Sequence, residues 1–217
     1  MKTQFMRTLL VCAGVAQLPA ATIIDNYNAT LGAGHTLQTA AVAFNLSIGY
    51  AEVQVAGRLY TGTGSGEFGI SQGTATLLDA LGLGTTPNII AQNTFLTDFS
   101  NPNNAAPSIV FFSGLSLNPG TYYLVLQASA NNSNPIVWQT TPNGPVVGNG
   151  VTSVYNFVAA AQNATFTSSY SPVDTIDKVQ YLVTGREVSG GDVPEPATWT
   201  LLAVGIGIVL LRLKSSQ

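Results

Sequence analysis

Leu115-Ser116-Leu117-Asn118-Pro119-Gly120-Thr121-Tyr122-Tyr123-Leu124-Val125-Leu126 reads as strand, turn and strand. Asn118-Pro119-Gly120 is turn chemistry: proline presets φ, and glycine reaches backbone conformations closed to other residues. Tyr122 to Leu126 is built from aromatic, branched and apolar residues that suit a pleated surface. Nothing in this stretch keeps an apolar stripe at helical spacing.

The same grammar recurs on both sides. Thr39 to Ile48 places Val42, Phe44 and Leu46 on one face, and Glu52 to Tyr60 sets Val53, Val55 and Leu59 against Glu52, Gln54 and Arg58. Further strands are expected from Phe68-Gly69-Ile70, over Thr74 to Leu78, Asn93 to Thr97, Ser108 to Phe112 and Pro135 to Thr140 (holding Trp138), and over Val154 to Val158, Asn163 to Thr167 and Val179 to Val183. About ten short strands punctuated by turn residues predict an all-β body, an antiparallel two-sheet sandwich that is jelly-roll-like. Leu77 to Leu83 has room for one helical turn, which Gly82 and Gly84 end. Helices are expected only at the two ends, as an N-terminal signal helix and one C-terminal transmembrane helix. A chain of 217 residues can bury a real core without disulfides.

Charge is scarce. Asp, Glu, Lys and Arg make up 8% of the chain, against about 25% in ordinary soluble domains. Phosphate neutralisation takes clusters of Lys and Arg, so nucleic acid is excluded as a partner. Lys2 and Arg7 lie near the start, and Arg212 and Lys214 near the end. Between about residue 22 and residue 193 only Arg58, Lys178 and Arg186 are basic, against the acids Asp25, Glu52, Glu67, Asp79, Asp98, Asp174, Asp177, Glu187 and Asp192. The body is therefore acidic, with its polarity carried mainly by uncharged side chains. Cys12 is the only cysteine and His35 the only histidine. Multi-His metal sites are excluded, and if the segment holding Cys12 is removed, so are disulfides and a cysteine nucleophile. No metal and no cofactor is expected.

Both ends read as addresses. Residues 1–21 follow the order of a secretory signal peptide: basic Lys2 and Arg7, the apolar run Leu9 to Ala16, and small residues at Leu18-Pro19-Ala20-Ala21 for cleavage after Ala20 or Ala21. Residues 22–189 form the body. Residues 190–217 hold a Gly190-Gly191-Asp192 spacer, Val193-Pro194-Glu195-Pro196-Ala197, an uncharged apolar run from Trp199 to Leu211, and Arg212 and Lys214 behind it. A helix over about 198–211, roughly 15 apolar residues long, would extend about 23 Å, enough for a bilayer with local thinning. Trp199 suits one interface, and the basic flank belongs on the cytoplasmic side, which puts the body outside.

Pro194-Glu195-Pro196, the apolar run and the terminal basic pair together resemble the PEP-CTERM sorting signal of Gram-negative bacteria. That resemblance covers about the last 25 residues and implies an exosortase-type transpeptidase as processing partner. It also implies a transient stay in the inner membrane, cleavage near the Pro-Glu-Pro box, and release or attachment of the body at the cell surface. Family members usually end in several arginines; this chain ends Arg212-Leu213-Lys214-Ser215-Ser216-Gln217. The Leu117-to-Leu126 run with Trp138 beyond it resembles the bodies of such surface proteins and, more loosely, carbohydrate-binding sandwiches.

Catalytic patterns are thin. Gly64-Ser65-Gly66-Glu67-Phe68-Gly69 matches a dinucleotide fingerprint, but Ile70-Ser71-Gln72-Gly73 follows where a helix is needed, so it reads as a hairpin loop. Glycosidase chemistry needs two facing carboxylates, and no local motif pairs Glu52, Glu67, Asp79 or Asp98. His35 is the sole base for a serine hydrolase, no Gly-x-Ser-x-Gly occurs, and Gly32-Ala33-Gly34-His35 reads as a solvated loop. Asp174 and Asp177 are too sparse for a calcium loop. Asn28, Asn45, Asn131 and Asn163 each begin an Asn-x-Ser/Thr acceptor sequence, which an Asn- and Thr-rich chain also produces by chance. Trp138, with Tyr122 and Tyr123, has two readings: core packing, or a flat face for a sugar ring. The sequence thus predicts a non-catalytic, exported surface or matrix protein with a structural or adhesive role, exopolysaccharide being a candidate neighbour. The alternative is a carbohydrate-binding module that uses surface aromatics, Trp138 or those of the loops.

Overall fold

The computed structural model describes residues 20–27, 35–36, 39–61, 70–98, 106–130, 132, 135–159, 165–172 and 178–188. Residues 1–19 of the expected signal peptide, Glu67 and the Gly64–Gly69 loop, Asp174 and Asp177, Asn28, Asn131 and Asn163, and the whole expected 190–217 address lie outside the described residues, while Ala21, expected at the end of the signal peptide, opens the first strand. That address includes Pro194, Glu195, Pro196, Arg212 and Lys214.

Among the described residues every regular element is a strand. In chain order they are β1 (Ala21–Asp25), β2 (His35–Thr36), β3 (Thr39–Leu46), β4 (Gly49–Thr61), β5 (Ser71–Leu78), β6 (Ile89–Thr97), β7 (Ser108–Leu117) and β8 (Gly120–Ala128). Then follow β9 (Ile136–Trp138), β10 (Thr140–Thr141), β11 (Val146–Val147), β12 (Val151–Ala159), β13 (Tyr170–Pro172), β14 (Lys178–Val179) and β15 (Tyr181–Val188). All pairings are antiparallel. One sheet runs β11-β1-β15-β4-β9-β2, with β7 on the other edge of β4. A second runs β13-β12-β3-β8-β5-β6, and β10 pairs with β14 in a short ladder.

Alternation along the strands builds one shared core. Val42, Phe44 and Leu46 of β3 meet Leu124 and Leu126 of β8 and Ala75 and Leu77 of β5 on one side. Val53, Val55 and Leu59 of β4, Ile23 and Ile24 of β1, and Tyr181 and Val183 of β15 come from the other. Period-two patterning is what lets each sheet turn an apolar face inward. The second sheet also buries part of its outer face: Ala41, Leu78 and Val125 are covered by Leu81, Tyr123, Phe166 and Tyr170.

Three expectations change. The strands either side of Asn118-Pro119 are not partners, because β7 pairs with β4 while β8 lies between β3 and β5. The turn therefore carries the chain from one sheet to the other. Residues 165–168 form a turn in which Thr165 N–H bonds Ser168 Oγ at 2.9 Å and Ser168 N–H bonds Thr165 O at 3.0 Å, where part of a strand over 163–167 was expected. His35 sits in a strand, opposite Trp138, rather than in a loop.

The two ends of the body are neighbours. Ala21 of β1 lies opposite Gly185 near the end of β15, and the strands are antiparallel. The chain therefore enters and leaves the first sheet at one pole. Short β11 closes this edge through Gly148, whose N–H donates to Ile23 O at 2.7 Å. A Cβ at Gly148 would collide with the Thr22 carbonyl oxygen, a backbone atom that cannot swing aside. Gly148→Ala is expected to lower stability by about 1–3 kcal/mol, in the range of overpacking. A urea midpoint equal to wild type would contradict the close approach of this segment to β1.

Candidate functional site

Trp138 is fully buried. It closes β9, and its indole N–H donates to Gln180 O at 2.8 Å. The expectation of a tryptophan face open to sugar is corrected: the ring belongs to the core, as a buried indole with a satisfied N–H does. Tyr122 is buried and stacks on Phe44 at 5.7 Å between ring centroids, while Tyr123 is half-buried over the outer face. Among the residues whose side chains are described, every Phe, Tyr and Trp is buried or half-buried. No flat aromatic platform is presented there.

What surrounds Trp138 is a junction of three strands. Arg58 N–H donates to Gln180 O (3.2 Å), Gln180 N–H to Gln139 O (2.8 Å), and Gln139 N–H to Arg58 O (2.9 Å). This closed ring is where ladders exchange partners. β4 leaves β15 after the Gly57–Tyr181 pair and takes up β9 at the Leu59–Trp138 pair, while Thr140 and Val179 begin the β10–β14 ladder. Gln139 and Gln180 are buried, so the polar groups around the ring need partners in place. The glutamine side chains provide them. Gln139 Oε1 accepts from Ala106 N–H at 2.8 Å, Gln180 Oε1 accepts from Arg58 Nη1 at 3.0 Å, and Gln180 Nε2 donates to Thr140 O at 3.1 Å. Asn26 fastens β1 to the same point, donating from N to Tyr181 O at 2.9 Å and from Nδ2 to Val179 O at 2.6 Å. The Arg58 guanidinium lies 4.4 Å from the centre of the Tyr27 ring, and Tyr27 Oη is 2.7 Å from Ser108 Oγ. Burial pushes the Tyr27 phenol above its ordinary value, against the opposing effects of Ser108 and Arg58.

An open cleft of about 470 Å³ lies at the end where β5, β6, β7 and β8 turn, lined by Asp79, Ile90, Asn118, Pro119, Thr121 and Tyr122 among others. Two of its polar side chains, Asp79 and Tyr122, are engaged internally. Asp79 accepts from Asn88 N–H at 2.8 Å and from Asn88 Nδ2 at 2.7 Å, and Tyr122 Oη donates to Asn118 O at 2.7 Å. The Asn88 bonds hold the Asp79 carboxyl below the usual carboxylate value, while burial pushes the Tyr122 phenol up. This makes a clamp on the loop between β5 and β6, whose Gly82 and Gly84 take left-handed φ of 109° and 78°. A carboxylate held below its usual value by two donors is a poor general acid or base at neutral pH.

The other described carboxylates are dispersed. Glu52 sits exposed at a bulge of β4 with φ 55°, 4.0 Å from Arg186 Nε. Asp25 Oδ1 accepts from Tyr27 N–H, and Glu187 accepts from Asn149 Nδ2. Among the described residues no cluster of three or more His, Cys, Asp and Glu is placed to hold a metal ion. Sequence reasoning missed the Gln139–Gln180–Arg58 junction, and no local motif announces it. The Asp79–Asn88 clamp had one signal, the Gly82 and Gly84 pair that marks a tight loop. Neither a protein-family model nor a curated protein matches the chain.

Two predictions come from these contacts. Gln180→Ala leaves the Thr140 carbonyl without its side-chain donor, at a cost of about 1–3 kcal/mol in equilibrium unfolding; a change within error of zero would contradict the junction as drawn. Asp79 has a folded-state value below its unfolded one, so its stabilisation is present above about pH 4 and lost as pH falls through the lower, folded value. The stability gap between wild type and Asp79→Ala should therefore be constant near neutrality and close in acid. A gap that widens in acid would reverse the sign and remove the clamp.

Proposed function

We propose that the chain is an exported surface or matrix protein of a Gram-negative bacterium, sorted by an exosortase-type enzyme, whose jelly-roll-type body has a structural or adhesive, non-catalytic role. The observation that carries this reading is the three-part order at the C-terminus: Pro194-Glu195-Pro196, then the apolar run from Trp199 to Leu211, then Arg212 and Lys214. A lone membrane anchor has no use for the Pro-Glu-Pro box in front of its helix.

Two structural features support it. Ala21 and Gly185 are cross-strand neighbours, so a leader before β1 and a sorting segment after β15 would leave the body at the same pole. Such a body can stay tethered to one membrane through either end without being threaded across it. The carboxylate in the cleft, Asp79, is held by two Asn88 donors, which suits a structural role for that loop. Trp138 is buried, so a carbohydrate-binding alternative would rest on other aromatics.

The test is fractionation of the native host, comparing the full chain with a variant in which Pro194, Glu195 and Pro196 are all replaced by alanine. Wild type should be recovered at the surface or in the medium without its C-terminal peptide by mass spectrometry. The variant should stay with the inner membrane at full length. Mature wild-type protein that still carries the intact C-terminal peptide would refute sorting.

A further inference from the structure

We infer that β6 is a self-association edge, and that its occupant is the β6 of a second copy of this chain, paired antiparallel about a two-fold axis at Asn93. β6 is the last strand of its sheet, bonded to β5 on one side. Among the described residues no strand pairs with its other side. The direction of its backbone groups follows from β5. Gln72 O accepts from Ser129 N–H and Gln72 N–H donates to Asn132 Oδ1, both away from β6. Backbone groups alternate along a strand, so Gly73, Ala75 and Leu77 bond toward β6 at Phe95, Asn93 and Ala91. The N–H and C=O groups of Gln92, Thr94 and Leu96 therefore point outward; at Ile90 the register shifts by one residue, since Leu77 faces Ala91 and Leu78 faces Ile89.

Edges of this kind are normally blunted by lysine, proline, a bulge or a covering element. Ile89-Ile90-Ala91-Gln92-Asn93-Thr94-Phe95-Leu96-Thr97 contains no charged residue, proline or glycine. The neighbouring edge, β7, is treated differently: Asn93 Nδ2 donates to Phe111 O at 3.0 Å and Phe95 packs on Phe111 at 5.2 Å between ring centroids. The side chains of β6 thus cover β7, while no described strand covers the outer backbone of β6.

The register favours a second copy over an unrelated strand. With Asn93 on the axis, Ile90 falls opposite Leu96 of the other copy, and Gln92 opposite Thr94. Ile90 and Leu96 are 38% and 61% exposed, so the pairing buries the two apolar side chains of the outer face against each other. Gln92 and Thr94 both point their backbone groups outward, so this pair exchanges both ladder hydrogen bonds on each side of the axis. A shift by one residue would set outward groups against inward ones. The axis also keeps charge out of the contact in a body that is acidic overall.

Sedimentation velocity of the full chain in non-ionic detergent micelles tests this. Wild type should form a dimer. Gln92→Lys with Thr94→Lys places like charges opposite each other twice across the axis and should weaken the dimer about tenfold or more. Gln92→Lys with Thr94→Glu places opposite charges there and should retain it. In wild type, the amides of Gln92 and Thr94 should also gain hydrogen-exchange protection as concentration rises, a readout that needs no variant. A monomeric wild type, a Lys/Lys variant as dimeric as wild type, or equal loss in both variants would overturn the inference. Association through the C-terminal apolar segment would ignore these substitutions and is thereby told apart.

Discussion

Three backbone hydrogen bonds, closed into a ring by Arg58, Gln139 and Gln180, hold the first sheet together. A flat antiparallel sheet gives each strand two fixed neighbours. Here β4, the strand through Gln139 and the strand through Gln180 each exchange one partner for another at the ring. An exchange of this kind breaks regular ladders inside the protein, where an unpaired peptide group costs about as much as a lost hydrogen bond. The ring satisfies the N–H and the C=O of one residue from each strand, and the two buried glutamine side chains satisfy the Ala106 N–H and the Thr140 C=O beside it. Asn26 then docks β1 on the same point, and β1 in turn holds β11. The order of much of the first sheet therefore depends on one small polar knot with an apolar collar.

That knot also explains how a body so poor in charge stays specific. Hydrophobic burial is non-directional, and a core of Val, Leu and Phe tolerates more than one strand arrangement. A buried polar junction tolerates far fewer, because any misplacement leaves donors and acceptors unpaired. The surface follows the same economy. Asn, Gln, Ser and Thr bond locally across it, as in the Asp79–Asn88 clamp, the Asn132–Gln72 pair and the Asn45–Thr121 pair. A surface of neutral hydrogen-bonding groups neither attracts phosphate polymers nor strongly repels its own copies.

The sequence made the sheets legible wherever alternation was clean. Val42-Phe44-Leu46, Val53-Val55-Leu59 and the Tyr122-to-Leu126 run all form strands that face the core as their spacing requires. Alternation is silent on partners. Nothing in Asn118-Pro119-Gly120 distinguishes a turn between paired strands from a step between sheets, because both need the same local reversal. β1 was hidden because Ala21 to Asp25 adjoins an apolar leader, and its strand character comes from pairing with β15 far along the chain. Trp138 was legible as an aromatic on a strand; which side it faced was decided by its bond to Gln180 O. Gln139 and Gln180 carried no signal, since a glutamine buried at a junction looks in sequence like one on the surface. The proposed sorting segment shows the opposite case: the order that supports it is read from the sequence alone.

Native-state hydrogen exchange at Arg58, Gln139 and Gln180 tests the central role of the junction most directly. If the first sheet depends on the ring, these three amides exchange together, and only through global unfolding. Their opening free energy would then equal the stability measured by denaturant and fall in step with it when the body is destabilised elsewhere. Exchange through local opening, well below the global value while β3 and β8 stay protected, would show that the sheets hold without the ring and would contradict the account.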